Sequence, residues 1–187
     1  MANKKTIFTG VGTAIATPMN EDGSINYDEF GRLVDYQIDN SADAIIVCGT
    51  TGESSTMTDE EHIEVIRSCV KRVDGRIPVI AGTGSNDTAY AIELSKEAEA
   101  MGADALLLVT PYYNKTSQRG LVKHFTAIAD SVNIPIVLYN VPSRTGMTIS
   151  PAAYMELAKH PNIVATKEAS GNMDTVMQVS AYTDLDI

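Results

Sequence analysis

The sequence predicts an α/β fold, a (β/α)8 TIM barrel of which about six β/α units are present in the chain. Short apolar or β-branched runs begin about every 30 residues, and amphipathic stretches with helical spacing lie between them. Because each run is apolar along its whole length, it is typical of a parallel sheet that helices cover on both faces. A doubly wound sheet shares these features, but the regular length of the units favours the barrel.

Six runs are predicted to be strands because they are rich in aliphatic and β-branched residues. They span Val11 to Ala16, Ala44 to Cys48, Ile77 to Ala81, Ala105 to Val109, Ile134 to Tyr139 and Ile163 to Thr166. The stretches between them are predicted to be helices, with Leu121 to Val132 as one example. Thr58 and Glu61 have the spacing of a capping box, and Ser150-Pro151 places proline in a first helical turn.

The length of the chain sets the number of units. Eight units need about 250 residues, whereas the chain has 187. Leu185 and Ile187 have the pattern of a further strand. We therefore interpret residues 1–187 as a (β/α)8 barrel catalytic domain that is truncated before strands 7 and 8.

Composition limits the partners. With 14 basic and 24 acidic residues the net charge is −10, which disfavours nucleic acid and anionic membrane as partners. No apolar run approaches the roughly 20 residues of a membrane span, and MANKKTIFTG lacks the apolar core of a signal peptide. Cys48 and Cys69 are isolated, so neither a disulfide framework nor a metal site is expected. A cytoplasmic location fits these features best.

Polar side chains gather at the carboxyl ends of the predicted strands, where barrels build their active sites. GTTGES follows the second strand, TPYY the fourth and NVPSRTG the fifth, while the sixth strand ends on Lys167. The backbone N–H groups of GTTGES can hold a carboxylate, although such a segment alone is usually only a turn. Because several such signals fall on one predicted face, we expect an active site there.

Lys167 is the candidate nucleophile. It closes an apolar run, and desolvation lowers the pKa of a lysine and favours the neutral amine. The alternative is a lysine whose ammonium simply reaches solvent. A neutral amine attacks a ketone to form a Schiff base, which acidifies the neighbouring carbon. Tyrosine can shuttle the proton and arginine can bind a carboxylate, so the residues predict amine catalysis on a keto acid.

Four segments resemble a known family: GTTGES at 49–54, TPYYNK at 110–115, YNVPSRTG at 139–146 and KEASGN at 167–172. They are similar to the pyruvate-dependent lyase family that includes dihydrodipicolinate synthase and N-acetylneuraminate lyase. The resemblance implies a (β/α)8 barrel that continues into a C-terminal helical region, uses no metal or cofactor and forms dimers or tetramers. Arginine in YNVPSRTG favours the synthase. A sugar-acid lyase and an inactive truncated barrel fragment are the alternatives.

The resemblance also implies roles for individual residues. Lys167 would form the Schiff base with pyruvate, and the turn at Thr50 and Thr51 would bind the pyruvate carboxylate. Thr51 and Tyr139 would relay protons together with Tyr113, which would reach in from a neighbouring subunit.

The second substrate implied by the resemblance is aspartate 4-semialdehyde, whose carboxylate Arg144 would bind. The reaction would then condense pyruvate with this aldehyde in the diaminopimelate route to lysine.

An allosteric site is also implied by the resemblance, at His62, Asn86 and Tyr112. Family members that lysine inhibits carry a glutamate where this chain has Tyr90 and a histidine where it has Asp59. We therefore do not expect feedback inhibition by lysine.

Two other signals are weaker. The segment GTGSND at residues 82–87 lacks the third glycine of a dinucleotide fingerprint, so an oxidoreductase is disfavoured. His62, His124 and His160 lack metal-ligand spacing and are expected on the surface.

Overall fold

The computed structural model describes residues 4–187. In these residues six strands form one sheet in which neighbours follow the order of the chain. The strands are β1 (Gly12–Ala14), β2 (Ala44–Val47), β3 (Val79–Gly82), β4 (Ala105–Val109), β5 (Ile136–Asn140) and β6 (Ile163–Glu168). β1 pairs with β2, β2 with β3 and β5 with β6 in parallel.

Seven α-helices lie in the same described residues. They are α1 (Tyr27–Asp39), α2 (Asp59–Val73), α3 (Thr88–Ala100), α4 (Gln118–Ala129), α5 (Pro142–Thr145), α6 (Pro151–Leu157) and α7 (Met173–Tyr182). None of the helices in this part of the chain is long and apolar enough to cross a membrane. A doubly wound sheet would break the strand order at a switch point. The observed order confirms the predicted α/β fold, with six strands of a (β/α)8 barrel.

The described chain divides into two compact units. The N-terminal unit comprises residues 7–82 and 97–106 and holds β1, β2, β3, α1 and α2. The C-terminal unit comprises residues 4–6, 83–96 and 107–187 and holds β5, β6 and helices α4 to α7.

Helix α2 of the N-terminal unit begins with the predicted capping box. The N–H of Glu61 donates to the Thr58 hydroxyl at 3.2 Å, and the N–H of Thr58 donates to the Glu61 carboxylate at 2.9 Å. These bonds satisfy N–H groups that a helix start otherwise leaves open. In the C-terminal unit Ser150 caps α6 and Pro151 opens it, also as predicted.

The observed bounds correct the predicted ends of five strands, by one to two residues at each changed end, and agree with the prediction for β4. β1 begins one residue later than predicted, where the N–H of Val11 donates to the Asp43 carboxylate at 2.7 Å, and it ends two residues earlier, at Ala14. β6 continues through Lys167 and Glu168 because its pairing with β5 extends to Asn140. Lys167 therefore lies inside a strand and not after one.

The predicted further strand appears as a single bridge. Asp186 pairs with Ala165 in parallel, with its N–H donating to the Val164 carbonyl at 3.0 Å and its carbonyl accepting from the N–H of Thr166 at 2.8 Å. The neighbouring Leu185 is buried.

Two histidines are buried, which corrects the expectation that they lie on the surface. His62 is 8% exposed and His124 is 6% exposed. Each can be buried because a ring nitrogen has a partner: Nε2 of His62 lies 2.8 Å from the Gly82 carbonyl and Nδ1 of His124 lies 2.8 Å from the Thr88 hydroxyl. Burial lowers the pKa of both rings, which favours the neutral form.

Candidate active site

Strands β5 and β6 bring two of the predicted catalytic side chains together. Tyr139 and Lys167 are directly paired in register. The Lys167 Nζ lies 4.5 Å from the centre of the Tyr139 ring, within the range of a cation–π contact. Tyr139 is buried whereas Lys167 is exposed. The amine therefore lies over a buried aromatic ring near the carboxyl ends of β5 and β6.

Partial burial shifts the protonation of Lys167 towards the neutral amine. Within residues 4–187 its ammonium forms no salt bridge, and partial burial lowers its pKa from the ordinary 10.5. The direction agrees with the prediction. The side chain is nevertheless exposed, as the alternative interpretation held.

Glu168 does not neutralise its neighbour Lys167. Its carboxylate accepts hydrogen bonds from Asn140 Nδ2 at 2.9 and 3.0 Å, from the Tyr154 hydroxyl at 2.7 Å and from the N–H of Ser170 at 2.9 Å. Burial raises the pKa of this carboxyl group, but the hydrogen bonds outweigh burial and hold the pKa below the ordinary 4.5. Glu168 is therefore a charged group held by neutral donors.

Sequence reasoning missed the network of Asn140, Glu168 and Tyr154. The available signal was the pair of polar residues that directly follow Tyr139 and Lys167 at the ends of two predicted neighbouring strands. Tyr154 had no such signal because its aromatic ring fits the apolar face of a helix.

Arg144 lies on α5, the short helix that follows β5, and is exposed. The helix is anchored by the buried Thr145, whose hydroxyl accepts from the Thr110 hydroxyl at 3.0 Å. Gly146 ends the helix at a φ of +67°, and a Cβ there would lie only 3.0 Å from Lys115 Cε. Both the backbone conformation and the close contact favour glycine.

Tyr112 and Tyr113 lie in the loop after β4. Tyr113 is 91% exposed and adopts a φ of +65°, and Lys115 has a φ of +53°. Left-handed backbone is strained for residues with a Cβ. The Tyr113 side chain thus makes little contact with its own chain.

The predicted pyruvate turn lies in the N-terminal unit. Thr50 and Thr51 are exposed in a short 3-10 helix, Thr50–Gly52. The buried Gly52 accepts a hydrogen bond from the Thr17 hydroxyl at 2.8 Å through its carbonyl. A Cβ on Gly52 would lie 3.1 Å from the Ile15 carbonyl oxygen, so the tight fit of this turn favours glycine.

The predicted allosteric residues are distributed over both units. His62 is buried in the N-terminal unit, whereas Asn86 and Tyr112 belong to the C-terminal unit. Asn86 lines a cavity of about 370 Å³, and its carbonyl accepts from Asn114 Nδ2 at 3.2 Å. Other polar residues of this cavity include Lys115 and Lys123.

Neither cysteine has the properties of a nucleophile. Cys48 and Cys69 are buried with free thiols, and burial raises the pKa of Cys69 to about 12. Among residues 4–187 no group of three or more histidine, cysteine or acidic side chains is arranged to hold a metal ion.

Residues 7–187 match the sequence model of the dihydrodipicolinate synthetase family. The chain belongs to this family. Among dihydrodipicolinate synthetase relatives, the 4-hydroxy-tetrahydrodipicolinate synthase of Caldicellulosiruptor saccharolyticus is 57% identical over 182 residues, which cover 97% of this chain and 62% of the relative. The enzyme of the same name from Acetivibrio thermocellus is 60% identical over 169 residues, covering 90% of this chain and 58% of the relative.

A solved structure of the family agrees with the fold. The chloride-inhibited dihydrodipicolinate synthase of Acinetobacter baumannii, complexed with pyruvate, matches with a TM-score of 0.92 and 46% identity. The match covers 96% of this chain and 62% of that structure. The chain thus spans about three fifths of the length of the relatives it matches.

Proposed function

We propose that the protein carrying this chain condenses pyruvate with aspartate 4-semialdehyde through a Schiff base on Lys167. The observation that carries the proposal is the Lys167 amine, which lies over the buried Tyr139 ring with a lowered pKa. The named relatives, at 57 and 60% identity, support the choice of this reaction within the family.

The proposed reaction begins when the Nζ lone pair of Lys167 attacks the keto carbon of pyruvate. Loss of water leaves an iminium ion, which withdraws electrons from the methyl carbon. Removal of a proton from that carbon gives an enamine, whose carbon attacks the aldehyde carbon of aspartate 4-semialdehyde. The aldehyde oxygen takes up a proton. The amino group of the semialdehyde portion then adds to the iminium carbon, and the lysine nitrogen leaves with a proton, which releases a cyclic imine and restores the amine.

Tyr139 is proposed to pass protons in these steps because it is the aromatic hydroxyl paired with Lys167. Thr50 and Thr51 are proposed to bind the pyruvate carboxylate, with Thr51 also joining the relay. Tyr113 is proposed to complete the relay in a neighbouring subunit, and its 91% exposure supports a role outside its own chain.

Arg144 is proposed to bind the carboxylate of aspartate 4-semialdehyde. Its exposed position on α5, which directly follows β5, supports this role. A guanidinium group matches a carboxylate with two parallel hydrogen bonds.

The proposed partners are pyruvate, aspartate 4-semialdehyde and further copies of the same chain, as a dimer or tetramer acting in the cytoplasm. The pyruvate complex of the Acinetobacter baumannii relative supports the first of these.

Reductive trapping tests the proposal. The protein carrying this chain is incubated with pyruvate and borohydride, and the adduct is mapped by peptide mass spectrometry. We expect the adduct on Lys167 and its loss in Lys167→Arg. Lys4 is a demanding internal control because burial also lowers its pKa. An adduct on Lys4 or Lys159, or none at all, would contradict the proposal.

A further inference from the structure

We propose that Glu168 is a positioning residue that, through Asn140 and Tyr154, holds β5 and β6 in the register that places the Lys167 amine over Tyr139. This inference rests on the proposed function and concerns the same site. We refer to Asn140, Tyr154 and Glu168 as the carboxylate clamp.

The clamp lies one residue beyond the candidate catalytic pair. Asn140 pairs with Glu168 directly after Tyr139 pairs with Lys167. Side chains alternate between the two faces of a strand, so the clamp and the catalytic pair occupy opposite faces at neighbouring positions. A hydrogen bond on one face therefore constrains the strand separation on the other.

The register between β5 and β6 needs such a constraint because their pairing is irregular near the start of β5. Ile136 pairs with Ile163, but Val137 pairs with Ala165, so one residue of β6 is skipped. The early part of the ladder thus does not impose the register of its end. A slip of one residue would turn Lys167 to the other face of the sheet.

The clamp is itself fixed from several sides. Asn140 is fully buried, and its Oδ1 accepts from the N–H of Ile149 at 3.1 Å. Tyr154 on α6 is also fully buried, and its hydroxyl lies 3.1 Å from the Thr166 hydroxyl. The Glu168 carboxylate thus accepts hydrogen bonds from Asn140 on β5, from Tyr154 on α6 and from the N–H of Ser170.

The direction of the hydrogen bonds allows a swap experiment. Glu168→Gln keeps one acceptor oxygen but puts an amide donor where the other carboxylate oxygen accepts from Asn140 Nδ2, and Asn140→Asp faces Glu168 with a second carboxylate. The double variant Asn140→Asp with Glu168→Gln restores a donor opposite an acceptor. Tyr154 can then accept from Gln at 168 and donate to Thr166, because either hydroxyl of that pair can be the donor.

Two readouts are measured on each variant of the protein carrying this chain. The first is steady-state condensation, where we expect kcat to fall about 100-fold in either single variant, as for a misplacement of about 1 Å, with a smaller change in the KM for pyruvate. The second is the pH profile of acetylation of Lys167 by acetic anhydride, read by peptide mapping, which needs no pyruvate. We expect this profile to shift to higher pH as the amine loses its partly buried position.

The double variant is expected to have a kcat at least about tenfold higher than either single variant and to show the wild-type labelling profile. The reason is that the effects of substituting two residues in contact do not add. Glu156→Gln is the matched control, because Glu156 is an exposed carboxylate that pairs only with Lys159 among the described residues. Thermal unfolding confirms that each variant is folded. Tyr154→Phe is a milder change, because it removes the hydrogen bond from the Tyr154 hydroxyl to Glu168 but leaves those from Asn140.

The outcomes separate the two proposals. If wild-type protein traps pyruvate on Lys167 but folded single variants keep their kcat and labelling profile, the clamp is only structural and the inference is wrong. A double variant no better than the single variants also overturns it. If wild-type protein traps no pyruvate while the labelling profile responds to the clamp, the positioning of the amine stands and the proposed function falls.

Discussion

Lys167 and Glu168 are adjacent in the chain but have opposite surroundings. The amine has no carboxylate partner in residues 4–187 and rests on an aromatic ring, whereas the carboxylate accepts bonds from three groups. An ion pair between them would raise the pKa of the amine and lower its nucleophilicity. Alternation along β6 prevents this, since adjacent side chains point to opposite faces.

The protonation of Lys167 is testable directly. Burial lowers its pKa below 10.5, so the neutral amine is reached at lower pH than in an ordinary lysine. We expect acetylation of Lys167 to reach half its maximal rate below pH 10.5. Competitive labelling followed by peptide mass mapping gives this midpoint, and a midpoint at or above pH 10.5 would exclude an unusual amine.

Tyr139→Phe removes the hydroxyl but keeps the buried ring under the amine. If Tyr139 relays protons, kcat should fall about 100-fold or more, the range of general acid–base catalysis. Circular dichroism should show unchanged folding. Turnover equal to that of the wild type would leave Tyr139 as a packing residue only.

Arg144→Ala tests the proposed binding of aspartate 4-semialdehyde. Loss of a charged hydrogen-bond pair should raise the KM for aspartate 4-semialdehyde about tenfold or more. The KM for pyruvate should change far less. Exposed Arg32 pairs with Glu29 on α1, so Arg32→Ala serves as the control. Equal increases for both substrates would remove this role from Arg144.

Among the elements, α2 shows how local chemistry defines a boundary. Thr58 and Glu61 exchange hydrogen bonds at its start, and Asp59, Glu60 and Glu61 lie in its first turn. Negative charge near a helix N-terminus is favourable because the first N–H groups carry a partial positive charge.

Thr58→Ala should lower the free energy of unfolding by about 1 kcal/mol, the typical cost of losing an N-cap. Urea denaturation followed by circular dichroism measures the difference. Ser55→Ala, on the exposed segment before the helix, is the matched control and should stay within about 0.5 kcal/mol of the wild type. The interpretation is wrong if both variants lose the same stability.

At the scale of the molecule, α7 carries exposed apolar side chains. Met173, Met177 and Tyr182 are 66, 65 and 65% exposed, and the methionines are one helical turn apart. The outer edge of β6 is met by a single bridge, to Asp186, among the described residues. Unpaired strand edges and exposed apolar patches both favour association.

The 187-residue chain produced by itself is therefore expected to self-associate. Light scattering coupled to size-exclusion chromatography measures its mass. Met173→Gln combined with Met177→Gln should reduce the association, whereas Tyr36→Gln at an isolated exposed position should not. A stable monomer would contradict this expectation.

The sequence alone predicts the order of strands and helices, the capping box at Thr58 and Lys167 as the candidate nucleophile. These follow from hydrophobic periodicity and from contacts within a few residues, which are local properties of the chain. The family resemblance added the reaction and the candidate residues, and the family is confirmed by the match over residues 7–187.

The three-dimensional structure was needed to show that Lys167 lies over Tyr139, that Glu168 binds Asn140 and Tyr154 instead of the neighbouring amine, and that His62 and His124 are buried. Each of these depends on pairing between residues distant in the chain. Val164, the residue of β6 that is skipped opposite Ile136 and Val137, also changes which side chains meet across β5 and β6. Periodicity predicts which face a side chain occupies, but the partner it meets there depends on the register between strands.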